Sequence, residues 1–252
     1  MKSLFRGLGS LAAIALLSVG LAAQTASTGR YDAAIQAKTD KEFAAKQQFH
    51  QVRATVEDGI VNLTGSVDLY QQKLDAAKKA RKIDHVEGVR NMIAVAGKDV
   101  PDAQLTAQLD RKLYYDRVGY DAEFNYITAS VKDGVATLSG EARTEFDRDS
   151  ALSVANYMPG VKDVVNDIRV SPVSSFDDDI RLRAMRAIYN DPQLGRYATD
   201  PASPIRIVVN NGKLTLFGTV ENSMDKTMAG MKANQVAGVF SVQNDLQVAG
   251  HS

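Results

Sequence analysis

The chain has 252 residues, 44% apolar and 24% charged, the balance of an ordinary globular protein. Thirty basic side chains stand against thirty acidic ones, which is not the basic excess of a nucleic-acid-binding protein, and none is expected as a partner. Cysteine is absent, excluding a disulfide framework, a thiol nucleophile, cysteine-ligated zinc and a lipid-modified N-terminal cysteine.

Residues 1–23 read as a secretory signal peptide. Lys2 and Arg6 supply the charged start, and 11–21 is an apolar run too short to span a bilayer comfortably. Gly20, Ala22 and Ala23 follow as small residues, so cleavage is expected between 22 and 26. The mature chain is then exported, with a bacterial periplasm as the compartment that fits best.

Beyond the signal, one stretch is written three times. The copies are Asp58-Gly59-Ile60-Val61-Asn62-Leu63-Thr64-Gly65, Asp133-Gly134-Val135-Ala136-Thr137-Leu138-Ser139-Gly140 and Asn211-Gly212-Lys213-Leu214-Thr215-Leu216-Phe217-Gly218. Downstream, in fixed register, come the alanine pairs Ala76/Ala80, Ala151/Ala155 and Ala229/Ala233, and then Asn91, Asn166 and Asn244. No gap is needed across that span, so this is a tandem repeat.

Each unit opens with a helix. Ile35, Thr39 and Phe43 correspond to Leu105, Leu109 and Leu113 and to Ile180, Ala184 and Ile188, and the i, i+4, i+8 spacing places each set on one stripe. Asp32, Asp102 and the run Asp177-Asp178-Asp179 lie at the helix starts, where a carboxylate is expected to cap free amides and meet the positive end of the dipole. The triple aspartate has no accompanying residues at ligand spacing, so no metal or cofactor is expected.

A strand follows, with Val52/Ala54/Val56, Ile127/Ala129/Val131 and Ile205/Ile207/Val209 at alternate positions. Asp-Gly or Asn-Gly makes the two-residue hairpin turn, whose positions both require positive φ. The return strand carries Val61/Leu63, Ala136/Leu138 and Leu214/Leu216, and its late glycine predicts a bulge or a close approach of the following helix. The alanine pair lets that second helix lie against the sheet, and a short strand around Val89, Val164 and Val242 closes the unit. The predicted fold is α+β: three tandem α-β-β-α-β sandwiches, each a mixed three-stranded sheet with two helices. Their bounds are 31–97, 102–172 and 177–250, joined by short polar segments expected to leave the units some orientational freedom.

The combination of periodic helix, Asn/Asp-Gly-x-Val/Leu-x-Leu-x-Gly hairpin, Ala-x-x-x-Ala helix and closing Gly-Val-x-x-Val-x-Asn resembles the BON domain. That family is named for bacterial osmotically inducible periplasmic and nodulation proteins. The first copy departs at His85, which stands where the others have Gly160 and Gly238. The resemblance implies an exported or envelope-associated, non-enzymatic protein linked with osmotic stress. It also implies contact with phospholipid surfaces or other envelope proteins, and a chaperone role in some members.

The residues themselves offer no catalytic constellation. His50, His85 and His251 are scattered, no phosphate-binding loop or nucleophile elbow is present, and Thr64 and Ser139 become Phe217 in the third copy. Two stretches exceed what a scaffold needs. One is the basic run Lys78, Lys79, Arg81 and Lys82, pointing away from the stripe of Leu69, Ala76, Ala80 and Ile83. The other interleaves Arg111, Lys112 and Arg117 with Tyr114, Tyr115 and Tyr120, continuing to Phe124 and Tyr126. Basic residues beside amphipathic rings suit an anionic membrane interface. Anionic phospholipid is therefore the expected partner, with a periplasmic chaperone or assembly module holding exported clients as the alternative.

Overall fold

The computed structural model describes residues 29–115, 122–200 and 204–250. The expected signal peptide and the candidate residues Arg117 and Tyr120 lie outside them. The chain divides into two compact units, one holding the first repeat and the other the second and third.

The first repeat runs α1 (Asp32–Ala44), β1 (Val52–Glu57), β2 (Ile60–Val67), α2 (Tyr70–Ala80), β3 (Gly88–Asn91) and β4 (Ala94–Val95). The second runs α3 (Asp102–Tyr115), β5 (Tyr126–Lys132), β6 (Val135–Ala142), α4 (Glu145–Asn156) and β7 (Asp163–Val170). The third runs α5 (Ser175–Tyr189), β8 (Ile205–Asn210), β9 (Lys213–Val220), α6 (Ser223–Asn234), β10 (Ser241–Asn244) and β11 (Gln247–Val248). In every repeat the hairpin strands are antiparallel and the closing strand joins the central one in parallel, giving the mixed sheet and α+β class expected. The first-helix stripes and all six repeat alanines are buried.

Two recurrent residues hold every unit together in unexpected ways, and a third ties the outer two. The aspartates at the helix starts do not cap their own helices. Each carboxylate instead accepts both central amides of the hairpin. Asp32 binds Asp58 and Gly59 at 2.9 and 2.8 Å, Asp102 binds Asp133 and Gly134 at 2.7 and 2.9 Å, and Asp177 binds Asn211 and Gly212 at 2.9 and 2.8 Å. With φ positive at both positions, these amides point out of the ladder and need an external acceptor. The cap of α5 is Ser174, which accepts from Asp177.

The late glycine is required by a strand rather than by a helix. At Gly65, Gly140 and Gly218 a β-carbon would stand 2.0, 2.1 and 1.9 Å from the carbonyl oxygens of Gln51, Tyr126 and Pro204, at the start of the first strand. All three also have positive φ. The asparagine secures the closing strand: the side-chain amides of Asn91 and Asn244 donate to the Lys73 and Lys226 carbonyls on the second helices, each at 2.7 Å. The strand breaks just after both, whereas β7, where Asn166 is exposed, runs on unbroken. His85 keeps the turn that glycine makes elsewhere, with φ of 67°, and stacks on Tyr31 at 3.8 Å.

The second and third repeats are not loosely joined. Phe124, in a short 3-10 turn before β5, lies in the core of the third repeat with Ile205, Ile207 and Leu216. Tyr126 stacks on Phe217 at 4.1 Å, and Arg143 pairs with Asp178 on α5 at 3.2 Å. Strand β8 is consequently buried on both faces, including Arg206 and Val208, which alternate with its core residues.

Removing the Asp177 carboxylate strands two hairpin amides where the residue is only 2% exposed. Asp177→Ala is expected to cost about 3 kcal/mol, the scale of two hydrogen bonds to a charged group, read as a lower urea midpoint. Gly218→Ala, which drives a methyl into the Pro204 carbonyl, is expected to lose at least ~2 kcal/mol by the same measurement.

Candidate functional site

The basic run of the first repeat occupies the end of α2 and the residues just after it. Ala76, Ala77, Ala80 and Ile83 are buried, so helical geometry turns Lys78, Arg81 and Lys82 to solvent. Among the described residues these three form no ion pair. Lys79 differs: its ammonium meets Glu42 on α1 at 2.7 Å, and that contact holds the Glu42 carboxyl below its ordinary range. The face thus presents three uncommitted cations, while the fourth ties the two helices together.

The mixed basic and aromatic stretch divides differently. Arg111 and Lys112 are exposed on α3, and Tyr115 beside them is half exposed. Tyr114 turns instead to the third repeat, where the Arg206 guanidinium lies 5.0 Å from its ring centre. Burial, helped by the charge of Asp200, pushes the Tyr114 hydroxyl up to about 12. Phe124 and Tyr126 serve the contact between repeats. Only Arg111, Lys112 and Tyr115 of this stretch remain outward, among the described residues.

Sequence reasoning missed a further set of exposed apolar side chains. Phe146 and Tyr157 on or next to α4, and Met224 and Met231 on α6, are each about half exposed or more. In the repeat register Phe146 and Met224 match Gln71, Met231 matches Lys78, and Tyr157 matches Lys82. The outward side of the second helix is thus basic in one copy, aromatic in the next and methionine-bearing in the third. Superposing the copies on their glycines would have found it.

Between the second and third repeats lies a cleft of about 720 Å³, walled by Tyr114, Tyr115, Tyr126 and Arg206. One wall is stiffened by Asp225, which is fully buried at the start of α6 and accepts from Tyr197 at 2.6 Å, from Gln193 and Asn222, and from Arg196. Burial alone would raise its carboxyl, but the hydrogen bonds from Tyr197, Gln193 and Arg196 outweigh it and hold the group below the ordinary range. Among the described residues no cluster of acidic and histidine side chains could hold a metal ion, and no helix is long and apolar enough to cross a membrane. The triple aspartate is absorbed by the hairpin amides at Asp177, by Arg143 and Arg181 at Asp178, and by Arg183 at Asp179.

The geometry defines a tandem array of small α+β sandwiches that offers charged and apolar faces. The BON domain model matches residues 31–97, 101–172 and 177–250, and the chain belongs to that family. Osmotically-inducible protein Y of Escherichia coli (strain K12) is 27% identical over 150 residues, spanning 55% of this chain and 72% of the relative. An uncharacterized protein of Anaplasma centrale, named for the gshII 5' region, is 28% identical over 145 residues, spanning 55% and 94%. Among solved structures, the C-terminal domain of CdsD, a structural protein of the Type III secretion system of Chlamydia trachomatis, aligns at 17% identity. That match covers 80% of this chain and 92% of the other, with a TM-score of 0.25.

The Asp225 network has a signed consequence. A carboxyl depressed on folding adds stability that is complete above its unfolded value, near 3.9, and is lost as pH falls through the folded one. Urea midpoints are expected to drop as pH goes below about 4, and Asp225→Asn to start lower at neutral pH with a flatter acid dependence.

Proposed function

We propose that this chain is an exported, non-enzymatic BON-domain protein of the osmotic or envelope stress response that binds anionic phospholipid surfaces. The observation that carries the reading is the outward face of Lys78, Arg81 and Lys82, three cations without ion-pair partners among the described residues. Near an anionic surface each basic residue contributes about 1 kcal/mol, so roughly 3 kcal/mol is available from this face. Arg111, Lys112 and Tyr115 on α3 form a second contact of the same chemistry, with the ring suited to the headgroup boundary. The name of the Escherichia coli relative supports the link with osmotic stress.

A second reading, a periplasmic chaperone, draws on the exposed Phe146, Tyr157, Met224 and Met231. Methionine is unbranched and polarizable, and surfaces rich in it adapt to many partners.

The test is co-sedimentation of the mature chain with neutral and anionic vesicles at low and physiological salt. Binding to anionic vesicles alone, weakened by salt, is expected. Charge reversal at Lys78, Arg81 and Lys82, which spares the Lys79–Glu42 pair, should abolish most of it. Failure to pellet under any condition, together with suppression of client aggregation by both forms, would replace the lipid reading with the chaperone one.

A further inference from the structure

Arg206 is 6% exposed, on the face of β8 covered by the second repeat. A guanidinium taken out of water costs several kcal/mol unless an anion and hydrogen-bond acceptors meet it. Among the described residues the Arg206 guanidinium makes neither an ion pair nor a hydrogen bond, and its nitrogens keep some contact with solvent at the cleft. Its guanidinium lies over the ring of Tyr114, and Glu123 and Asp200 act on it from a distance. The other cation of the cleft, Arg196, is engaged by Asp225 and Glu221, and Asp110 accepts from the Ala129 amide at 3.2 Å. Arg206 is thus the cleft's cation without an ion-pair partner among the described residues, at the wall of a cleft of about 720 Å³ that Asp110 and Asp200 also line.

We infer that this cleft binds an organic carboxylate, with Arg206 pairing its two oxygens and the tyrosine walls holding its body. The guanidinium fork matches a carboxylate bidentately. The volume lies within the ~300–1,000 Å³ of small-molecule pockets, far beyond a lone ion. Tyr114, Tyr115 and Tyr126 supply flat surfaces with polar edges, suited to an aromatic or amphipathic body. The nearby carboxylates of Glu123 and Asp200 oppose a doubly charged phosphate more strongly than a singly charged carboxylate. A recessed cation is also beyond the reach of a headgroup still anchored in a bilayer, so Arg206 is separate from the lipid-facing cations, and Tyr115 borders both. The carboxylate has two possible sources, a small free acid or the C-terminal end of a peptide.

The chain contains no tryptophan, so a tryptophan-bearing probe can be followed by its own fluorescence. N-acetyltryptophan and the peptide Ala-Ala-Trp with a free C-terminus are titrated into the mature protein against their amidated forms. The acids are expected to bind at least about tenfold more tightly than the amides, the scale of a charge-assisted pair. In Arg206→Gln, checked for folding by circular dichroism and thermal midpoint, acid and amide should become equal. Arg206→Lys should restore part of the preference. Binding of N-acetyltryptophan alone assigns a small acid, and binding of the peptide alone assigns a chain end. Equal affinity of acid and amide for the unaltered protein, or no binding of either, overturns the proposal, and that comparison does not depend on any variant folding.

Discussion

Each repeat depends on a carboxylate reaching from the start of its first helix to the two amides at the tip of its hairpin. A two-residue turn with positive φ at both positions leaves those amides outside the ladder. Satisfying them with one aspartate fixes the tilt of the first helix over the sheet, because both carboxylate oxygens are used. The stripe of Ile180, Ala184 and Ile188 then falls onto the strands without further adjustment. At the opposite end of the hairpin the late glycine lets the strand carbonyl approach, and the asparagine ties the closing strand to the second helix in the outer repeats. These fixed points leave the outward side of the second helix unconstrained, and there the copies have diverged.

That divergence connects the scaffold to function. At matching positions the copies carry Gln71, Phe146 and Met224, then Lys78, Ser153 and Met231, then Lys82, Tyr157 and Gln235. The fold tolerates each because none of these side chains contributes to a core. A basic face suits anionic lipid, and a methionine face suits variable protein surfaces. On the proposed reading, one scaffold would carry several weak contacts, which avidity can add without a strong site on any single domain.

Local periodicity made much of this visible in the sequence. The helix stripes, the Asp-Gly and Asn-Gly turns and the alanine pairs follow from spacing within one element, and they appear where spacing puts them. Contacts made across distance were not legible. Asp177 meets an amide 34 residues away, and nothing in the helix start distinguishes that use from an ordinary cap. Arg206 and Val208 alternate with Ile205, Ile207 and Val209 as solvent-facing residues would, so burial of the outer face of β8 could not be read from the pattern. The same contact drew Tyr114, Phe124 and Tyr126 from the expected surface toward the third repeat, while Arg111, Lys112 and Tyr115 stayed outside.

The central claim is that lipid meets the cationic residues rather than the apolar faces. Backbone amide NMR of the mature chain with anionic bicelles tests it residue by residue. The account predicts line broadening centred on Lys78, Arg81 and Lys82, extending to Arg111, Lys112 and Tyr115 and relieved by added salt. Broadening confined to the segments around Phe146, Met224 and Met231, or none at all, would contradict it.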